Sequence, residues 1–188
     1  MTGRYGTLYP ARRDIFLALA VWCILSLGIL SCTSDIAHCL AGIFFSGGLV
    51  LMSLTDIRWG LLLDKANLLL FLGGLFFLVM EHAPFLPHFV GASMGGLGLL
   101  FLRMISRGGL GLGDVKFGIV LGLWLAPDRL YLALLFAFVM GGAFALFLLF
   151  FHRIRMDARL PFGPFLSAGA YLSFLYGTDI LAWYGDLL

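Results

Sequence analysis

Long apolar stretches recur along the chain, separated by short polar stretches, and this alternation limits the possible folds more than any other feature. A helix that spans the hydrocarbon core of a bilayer needs about 17 to 25 residues. Seven stretches approach or reach that length: 14–32, 37–55, 66–80, 87–105, 115–127, 130–151 and 163–179. The stretches at 66–80 and 115–127 are short, so we expect them to extend into flanking residues or to pack mainly against protein.

The composition is not that of a soluble domain. Of the 188 residues, 62% are hydrophobic and 12% are charged, whereas about a quarter of an ordinary soluble domain is charged. Backbone N–H and C=O groups in lipid must form their hydrogen bonds within the protein, so only helices and closed barrels can span a membrane. Runs such as 68–72 lack the alternation of a barrel strand. The sequence therefore predicts an all-α, polytopic membrane helix bundle of about seven transmembrane segments, with the lipid bilayer as its solvent.

The basic residues predict the orientation of this bundle. If the N-terminus is inside and each segment crosses once, eleven of the 12 Lys and Arg residues face the cytoplasm and Arg129 alone faces outside. Short cytoplasmic loops of membrane proteins carry such an excess of positive charge, so we predict a cytoplasmic N-terminus. The net charge of +2 gives no reason to expect nucleic acid as a partner. We expect the first apolar stretch to be retained, because it leads directly into the next one.

Cysteine and histidine give no metal or redox signature. Cys23, Cys32 and Cys39 form no CxxC pair, and we expect them to be small buried side chains. A Cys32–Cys39 disulfide is the alternative if their loop faces an oxidising compartment. The four histidines form no HExxH motif and fall on both sides of the predicted membrane. We therefore expect no metal and no cofactor.

Two predicted cytoplasmic loops each carry an aspartate where the loop joins an apolar helix. Asp56 lies in the loop at 54–65, and Asp114 lies in the loop at 106–117. An aspartate at the start of a helix can simply cap it, by accepting backbone N–H bonds and complementing the helix dipole. Four glycines leave the backbone before Asp114 almost bare, which permits close approach of another chain and is not needed for capping: Gly108, Gly109, Gly111 and Gly113.

Two carboxyl groups of this kind can hydrolyse a peptide bond. When they are held about 3 Å apart they share one proton. The charged group accepts a proton from a water molecule that attacks the peptide carbonyl, and the protonated group donates to the carbonyl oxygen. Because the pair titrates as a unit, the sequence assigns neither role to a particular aspartate.

Three blocks of the sequence resemble the type IV prepilin peptidases, the bacterial members of the GxGD aspartyl proteases. Residues 111–117 resemble the GxGD-[VF]-K block, and 161–166 resemble the PFGPFL stretch that opens the last helix. Asp56, followed by a basic residue and by a second acid eight positions on, resembles the first catalytic aspartate. The resemblance covers roughly residues 40–178 and implies that both aspartates are catalytic. It implies supporting roles in the active-site loops for Gly111, Gly113, Lys116 and Asp64, the last as a loop anchor.

The resemblance also implies a substrate and a location. These enzymes remove the basic leader from type IV pilin-like precursors at the cytoplasmic face of the bacterial inner membrane. On this interpretation 1–36 is a cytoplasmic tail with the first transmembrane helix, and 37–188 is the aspartyl peptidase membrane domain. Many members have proline where Leu63 stands and glutamate where Gly108 stands. Many also have an N-terminal domain with paired cysteines, where this sequence has a single helix, so methyltransferase activity is not expected.

Two other functions remain open at this point. One is a non-catalytic assembly factor of a pilus or secretion machine, against which the retention of both aspartates argues. The other is a transporter, since acids at the membrane edge and helices interrupted by glycine also mark ion pathways. A transporter of that kind has interrupted segments at corresponding places in its two halves, and no convincing pair is present in the sequence.

Overall fold

The predicted all-α class is confirmed. A computed structural model of the chain describes residues 12–32, 35–107, 109–151 and 160–186, and those residues contain helices and connecting loops but no strand. By length and composition, four helices could cross a membrane: α1, α2, α4 and α5. The helices are α1 (Arg12–Cys32), α2 (Ile36–Trp59), α3 (Asp64–Met80), α4 (Phe85–Ile105), α5 (Leu112–Phe150) and α6 (Gly163–Gly185).

The ends of α2 follow from local side-chain and backbone chemistry. Before its first turn, the Asp35 carboxylate accepts a hydrogen bond from the backbone N–H of Ala37 at 3.3 Å, which satisfies a donor that the helix itself leaves unpaired. At the other end Gly60 has a φ of +62°, and its N–H bonds the Asp56 carbonyl at 2.8 Å. Glycine adopts this left-handed conformation without strain, so the helix ends one turn after Asp56.

Helix α5 is broken near its middle. Ala126 has φ 56° and ψ 174°, which is not helical, and Pro127 follows it. Because proline has no N–H, the carbonyl of Leu123, four residues before it, lacks its usual helical partner. His88 Nδ1 lies 2.7 Å from that carbonyl oxygen and bonds it instead. The predicted gap between the stretches 115–127 and 130–151 is therefore wrong by a few residues, since the proline moves the break to Ala126.

The chain reverses direction at this break. The second half of α5 (127–150) begins beside the end of α6, where Arg129 lies against Gly177, and it ends beside the start of α6, where Gly141 faces Phe165. The first half (112–125) also starts near the start of α6. Its first turn carries Asp114, which lies in the electrostatic environment of Asp56 in the last turn of α2. Asp56 in turn accepts a hydrogen bond from Gly163, the first residue of α6. The two halves are thus antiparallel. The bundle end that contains the last turn of α2 and the first turns of α3, α5 and α6 is termed the site end.

Glycines allow α4 and the first half of α5 to approach each other closely. Gly91 faces the backbone of Gly122, and Gly95 faces the backbone of Gly118. A methyl group at any of these four positions would collide with the facing backbone. Small residues of this kind permit the close helix packing that is common within membranes. The contact brings the N-terminal part of α5, and Asp114 with it, against the core of the bundle.

The prediction that the cysteines are buried is wrong. Cys23 and Cys32 are exposed and Cys39 is half-buried, and no disulfide joins Cys32 to Cys39. The physical reason lies in α1, where Ile29 is the one residue of 21 that the rest of the described chain buries. Most of that helix therefore presents its side chains outward, where an apolar thiol is compatible with lipid.

Candidate active site

Asp56 lies in the last turn of α2 and is buried, with 7% of its surface exposed. Its Oδ2 accepts a hydrogen bond of 2.7 Å from the backbone N–H of Gly163, the first residue of α6. The preceding residue, Thr55, is also buried, and its hydroxyl donates to the Met52 carbonyl at 3.0 Å. The carboxylate therefore stands at the site end, fixed between the end of one helix and the start of another.

Asp114 lies in the first turn of α5 and is 9% exposed. Its Oδ2 accepts a hydrogen bond of 2.9 Å from the backbone N–H of Gly111, the residue that precedes the helix. This is the carboxylate half of a capping box, so the capping interpretation of Asp114 is correct as far as it goes. Capping uses one oxygen of the carboxylate and does not preclude a second role for the same side chain.

The structure brings the two predicted aspartates to the same end of the bundle. Asp56 contributes to the electrostatic environment of the Asp114 carboxyl, although burial contributes more. The segments that carry them are also in contact, because Gly113 packs against Leu62, in the loop that follows Asp56. A methyl group at residue 113 would lie 3.1 Å from the Leu62 Cβ. Two residues 58 positions apart in sequence thus form one acidic site.

The other two predicted supporting residues form an ion pair at the surface of this site. Lys116 Nζ lies 2.8 Å from Asp64 Oδ1, and the two side chains are 55% and 71% exposed. The pair connects the first turn of α5 to the first turn of α3. Asp64, just after the loop that follows α2, is thus in contact with the helix that carries Asp114.

Two further contacts shape the loops around the aspartates. The Arg103 guanidinium, in the last turn of α4, donates to the carbonyl of Leu110 in the glycine-rich loop before α5. Leu63, where many related sequences have proline, has φ −70° and ψ 119°, which are values that proline itself adopts. The leucine therefore leaves the backbone of this loop in the conformation that a proline would impose. Gly108, the other departure, lies outside the described residues.

The Gly163 contact with Asp56 is the part of the site that the sequence analysis missed. Gly163 is buried, and a methyl group there would lie 2.8 Å from Asp56 Oδ2. A glycine at this point thus lets the backbone donor reach the carboxylate. The PFGPFL stretch was the available signal, but it had been assigned to the opening of a helix and not to the site.

The arrangement has the parts that water-dependent hydrolysis requires. Two buried carboxyl groups lie at one end of the bundle, and each is oriented by a backbone N–H. The glycines at 111 and 113 allow the Asp114 carboxylate and Leu62 to approach the backbone closely. Within the described part of the chain, no three His, Cys, Asp or Glu side chains are grouped as metal ligands. The chemistry that these side chains themselves offer is proton transfer between two carboxyl groups.

Known proteins of similar sequence agree with the resemblance to the prepilin peptidases. The sequence profile of the Type IV leader peptidase family matches residues 43–146. A prepilin leader peptidase/N-methyltransferase of Aeromonas salmonicida (strain A449) is 31% identical in an alignment of 151 residues that covers 77% of this chain and 52% of that protein. Proteins of the same name from Burkholderia pseudomallei (strain 1026b) and Bacillus subtilis (strain 168) are 35% and 30% identical over 160 and 144 residues, respectively.

These matches cover 82% and 76% of this chain, and 52% and 58% of the two relatives. The chain therefore spans about half the length of the curated relatives it matches. No solved structure matches the chain. The profile match extends over more than half of the 188 residues and includes both Asp56 and Asp114. The chain belongs to the Type IV leader peptidase family.

Proposed function

We propose that this chain is an aspartic endopeptidase that removes the basic leader from type IV pilin-like precursors at the cytoplasmic face of the bacterial inner membrane. Asp56 and Asp114 are its catalytic residues. Gly111 and Gly113 support the site by letting Asp114 and Leu62 pack closely against the loop, and Asp64 and Lys116 pair across the surrounding loops. The observation that carries the proposal is the placement of two buried carboxyl groups at one end of the bundle, on chain segments that are in contact, in a chain of this family.

The proposed reaction uses the two carboxyl groups as an acid and a base. One is ionised and takes a proton from a water molecule, whose oxygen attacks the scissile carbonyl carbon. The other is protonated and gives its proton to the carbonyl oxygen, which yields a neutral tetrahedral intermediate. Return of a proton to the peptide nitrogen breaks the C–N bond and releases an acid and an amine. The hydrogen bonds from Gly163 and Gly111 hold both carboxylates in place during these steps.

The proposed topology has seven crossings, with the N-terminus and the site end in the cytoplasm. Support comes from the direction of the helices, because the two halves of α5 count as separate segments and successive segments alternate between the site end and the opposite end. Support also comes from charge, since Arg58, Lys65, Arg103 and Lys116 lie near the site end, whereas Arg129 lies at the opposite end. A basic leader is retained on the cytoplasmic side for the same reason.

Substitution of each aspartate tests the proposal. Asp56→Asn and Asp114→Asn keep the size of the side chain but remove its ability to exchange a proton. We expect each to lower cleavage of a precursor in membranes by at least about a thousandfold, since the carboxyl pair acts as one unit. Mass spectrometry of the mature N-terminus gives the readout. Asp179→Asn, at the exposed opposite end of α6, is the matched control and should cleave like the wild type.

The same experiment separates the alternatives. An assembly factor would leave the precursor uncut by the wild-type protein and would copurify with machine components. A transporter would give a proteoliposome flux that depends on Asp114. Full cleavage by either single aspartate variant would refute the paired-carboxyl mechanism.

A further inference from the structure

An apolar cavity of about 770 Å³ lies between α1, α2 and α6. Its wall on α2 includes Ile57, the residue after Asp56, and its wall on α6 begins at Pro164, the residue after Gly163. Since Gly163 N–H bonds the Asp56 carboxylate, the cavity adjoins the site along two chain segments. Its volume is within the range of roughly 300–1,000 Å³ that is usual for ligand sites.

One polar side chain in this cavity has no partner. Ser167 is 4% exposed, lines the cavity, and has a hydroxyl with no hydrogen bond among the described residues. Ser53, on the facing wall, instead donates to the Leu49 carbonyl of its own helix at 2.9 Å. A buried hydroxyl without a partner costs stability, so Ser167 is better explained by a ligand than by the fold.

Helix α1 forms the third wall of the cavity and is attached to the bundle at several points. A 2.8 Å hydrogen bond joins the Tyr171 hydroxyl to the Leu25 carbonyl, and one of 3.0 Å joins Trp22 Nε1 to the Ile43 carbonyl. At the site end, Asp14 forms an ion pair with Arg58, and the two side chains are 12% and 44% exposed, respectively. The wall next to the aspartates is therefore held by charged side chains that also line the cavity.

The proposed reaction requires a substrate that is extended at the bond to be cut. A peptide carbonyl in a regular helix is bonded to an N–H one turn later and is screened by the helix, so a helical precursor must unwind there. The backbone groups that unwinding frees need new partners in a membrane, where water is scarce. The resemblance to the prepilin peptidases implies precursors with a hydrophobic helix after the cut, and the side chains of such a segment need an apolar surface. The cavity offers apolar walls for these side chains. The unpartnered hydroxyl of Ser167 can donate a hydrogen bond to a freed backbone group or accept one from it.

We infer that the cavity between α1, α2 and α6 binds the first apolar residues of the precursor beyond the scissile bond, with the Ser167 hydroxyl bonding a backbone group freed by unwinding. This inference rests on the proposed function and adds to it the location of the substrate's apolar segment. Asp14 and Arg58 lie at the cytoplasmic mouth of the cavity, where the segment enters. The ligand is a peptide segment, and a lipid acyl chain is the competing occupant that the test has to distinguish.

Crosslinking tests where the segment binds. A photoreactive benzoylphenylalanine replaces Leu54, which lines the cavity, in a chain that also carries Asp56→Asn and Asp114→Asn so that bound precursor stays intact. The control position is Leu97, which is 67% exposed on α4. We expect position 54 to crosslink the precursor within the first residues after the leader, and position 97 to give no such product. Crosslinks at position 54 to phospholipid alone, or equal crosslinking at both positions, would overturn the inference.

Substitutions test whether the cavity matters for cleavage. Ala18→Phe fills the cavity from α1, whereas Ala20→Phe adds the same ring at an exposed position of the same helix. We expect the first to raise KM about tenfold or more with little change in kcat, and the second to change neither. Equal KM values for the two variants would overturn the inference. A wild-type protein that cleaves nothing would instead overturn the proposed function, so the two failures are distinguishable.

A third variant tests the hydroxyl. Ser167→Ala should lower kcat/KM by roughly three- to tenfold, the effect of one hydrogen bond, with no loss of thermal stability, because the hydroxyl has no partner in the free protein. Ser167→Thr keeps the hydroxyl and should restore most of the activity. A loss of Tm in Ser167→Ala without a change in kcat/KM would mean that the hydroxyl serves the fold and not the substrate.

Discussion

The backbone N–H of Gly163 donates a 2.7 Å hydrogen bond to Asp56 Oδ2, across 107 positions of sequence. A methyl group on the same residue would lie 2.8 Å from that oxygen and 3.1 Å from the Asp56 Cβ. The start of α6 therefore fixes one oxygen of the carboxylate by a contact that tolerates no side chain. The orientation of the Asp56 carboxylate, which we propose to be catalytic, thus depends on the absence of a methyl group in another helix.

Gly163→Ala should therefore reduce cleavage while leaving the chain folded. The methyl group forces α6 and α2 apart and lengthens or breaks the hydrogen bond. A hydrogen bond to a charged group contributes roughly 1.5–3 kcal/mol, which corresponds to a loss of about tenfold to a hundredfold in kcat/KM. Cleavage kinetics and a thermal melt of the purified protein give the two readouts.

Gly142→Ala provides the matched control for this substitution. It lies inside α5, and a methyl group there has nothing within 4 Å. Alanine should favour this helix by up to about 1 kcal/mol and leave cleavage unchanged. Equal activity losses in the two variants would mean that the effect at residue 163 is not specific to Asp56.

Leu63→Pro tests whether the loop after Asp56 already has the conformation that proline favours. Because Leu63 has φ −70° and ψ 119° and precedes α3, proline fits without moving the backbone. It also restricts the unfolded chain, so we expect it to stabilise the protein by about 0.4–1 kcal/mol. Tm should rise by a few degrees and cleavage should persist. A lower Tm would show that the ring collides with a neighbour or that the N–H of residue 63 is needed.

Most of the helices could be predicted because their cause is local. Apolar stretches of membrane length form helices whatever they pack against. The predicted stretches fall within the observed helices, except that 130–151 ends one residue after α5 and 115–127 runs across its break. The break in α5 was displaced because Pro127 acts on the residues before it, and the burial of the cysteines was wrong because in lipid an apolar side chain need not face the core. Neither error could have been avoided by counting apolar residues, because such a count shows neither the effect of a proline nor which side chains face lipid.

The candidate site was predictable only in part. Asp56 and Asp114 could be singled out because their side chains differ chemically from the apolar residues around them. Gly163 could not, since its contribution is a backbone N–H, which almost every residue carries. Ser167 and its cavity were equally beyond reach, because they depend on how α1, α2 and α6 pack. The chemistry of the site can thus be predicted from side chains, but its geometry cannot.

The ion pair of Lys116 with Asp64 should contribute little to stability. Both side chains are more than half exposed, and exposed pairs of this kind contribute about 0–1 kcal/mol. Lys116→Met should therefore lower Tm by no more than a few degrees and cleavage by less than about tenfold. The exchanged pair, Lys116→Asp with Asp64→Lys, should recover the loss. Loss of more than a hundredfold without recovery would assign Lys116 a direct part in the reaction.

The hydrogen bond of His88 to the Leu123 carbonyl should matter for the fold and not for the reaction. Because Pro127 lacks an N–H, His88→Leu leaves this partly buried carbonyl without its partner, at a cost of about 1–3 kcal/mol. For a chain of this length each kcal/mol lowers Tm by roughly 2–4 °C. A carbonyl can only accept, so Nδ1 carries the proton, and His88→Gln, which retains a donor, should keep most of the stability. Equal Tm values for both variants and the wild type would contradict this role. Cleavage measured well below Tm should be unaffected, because His88 lies near the break in α5, at the end of the bundle away from the two aspartates.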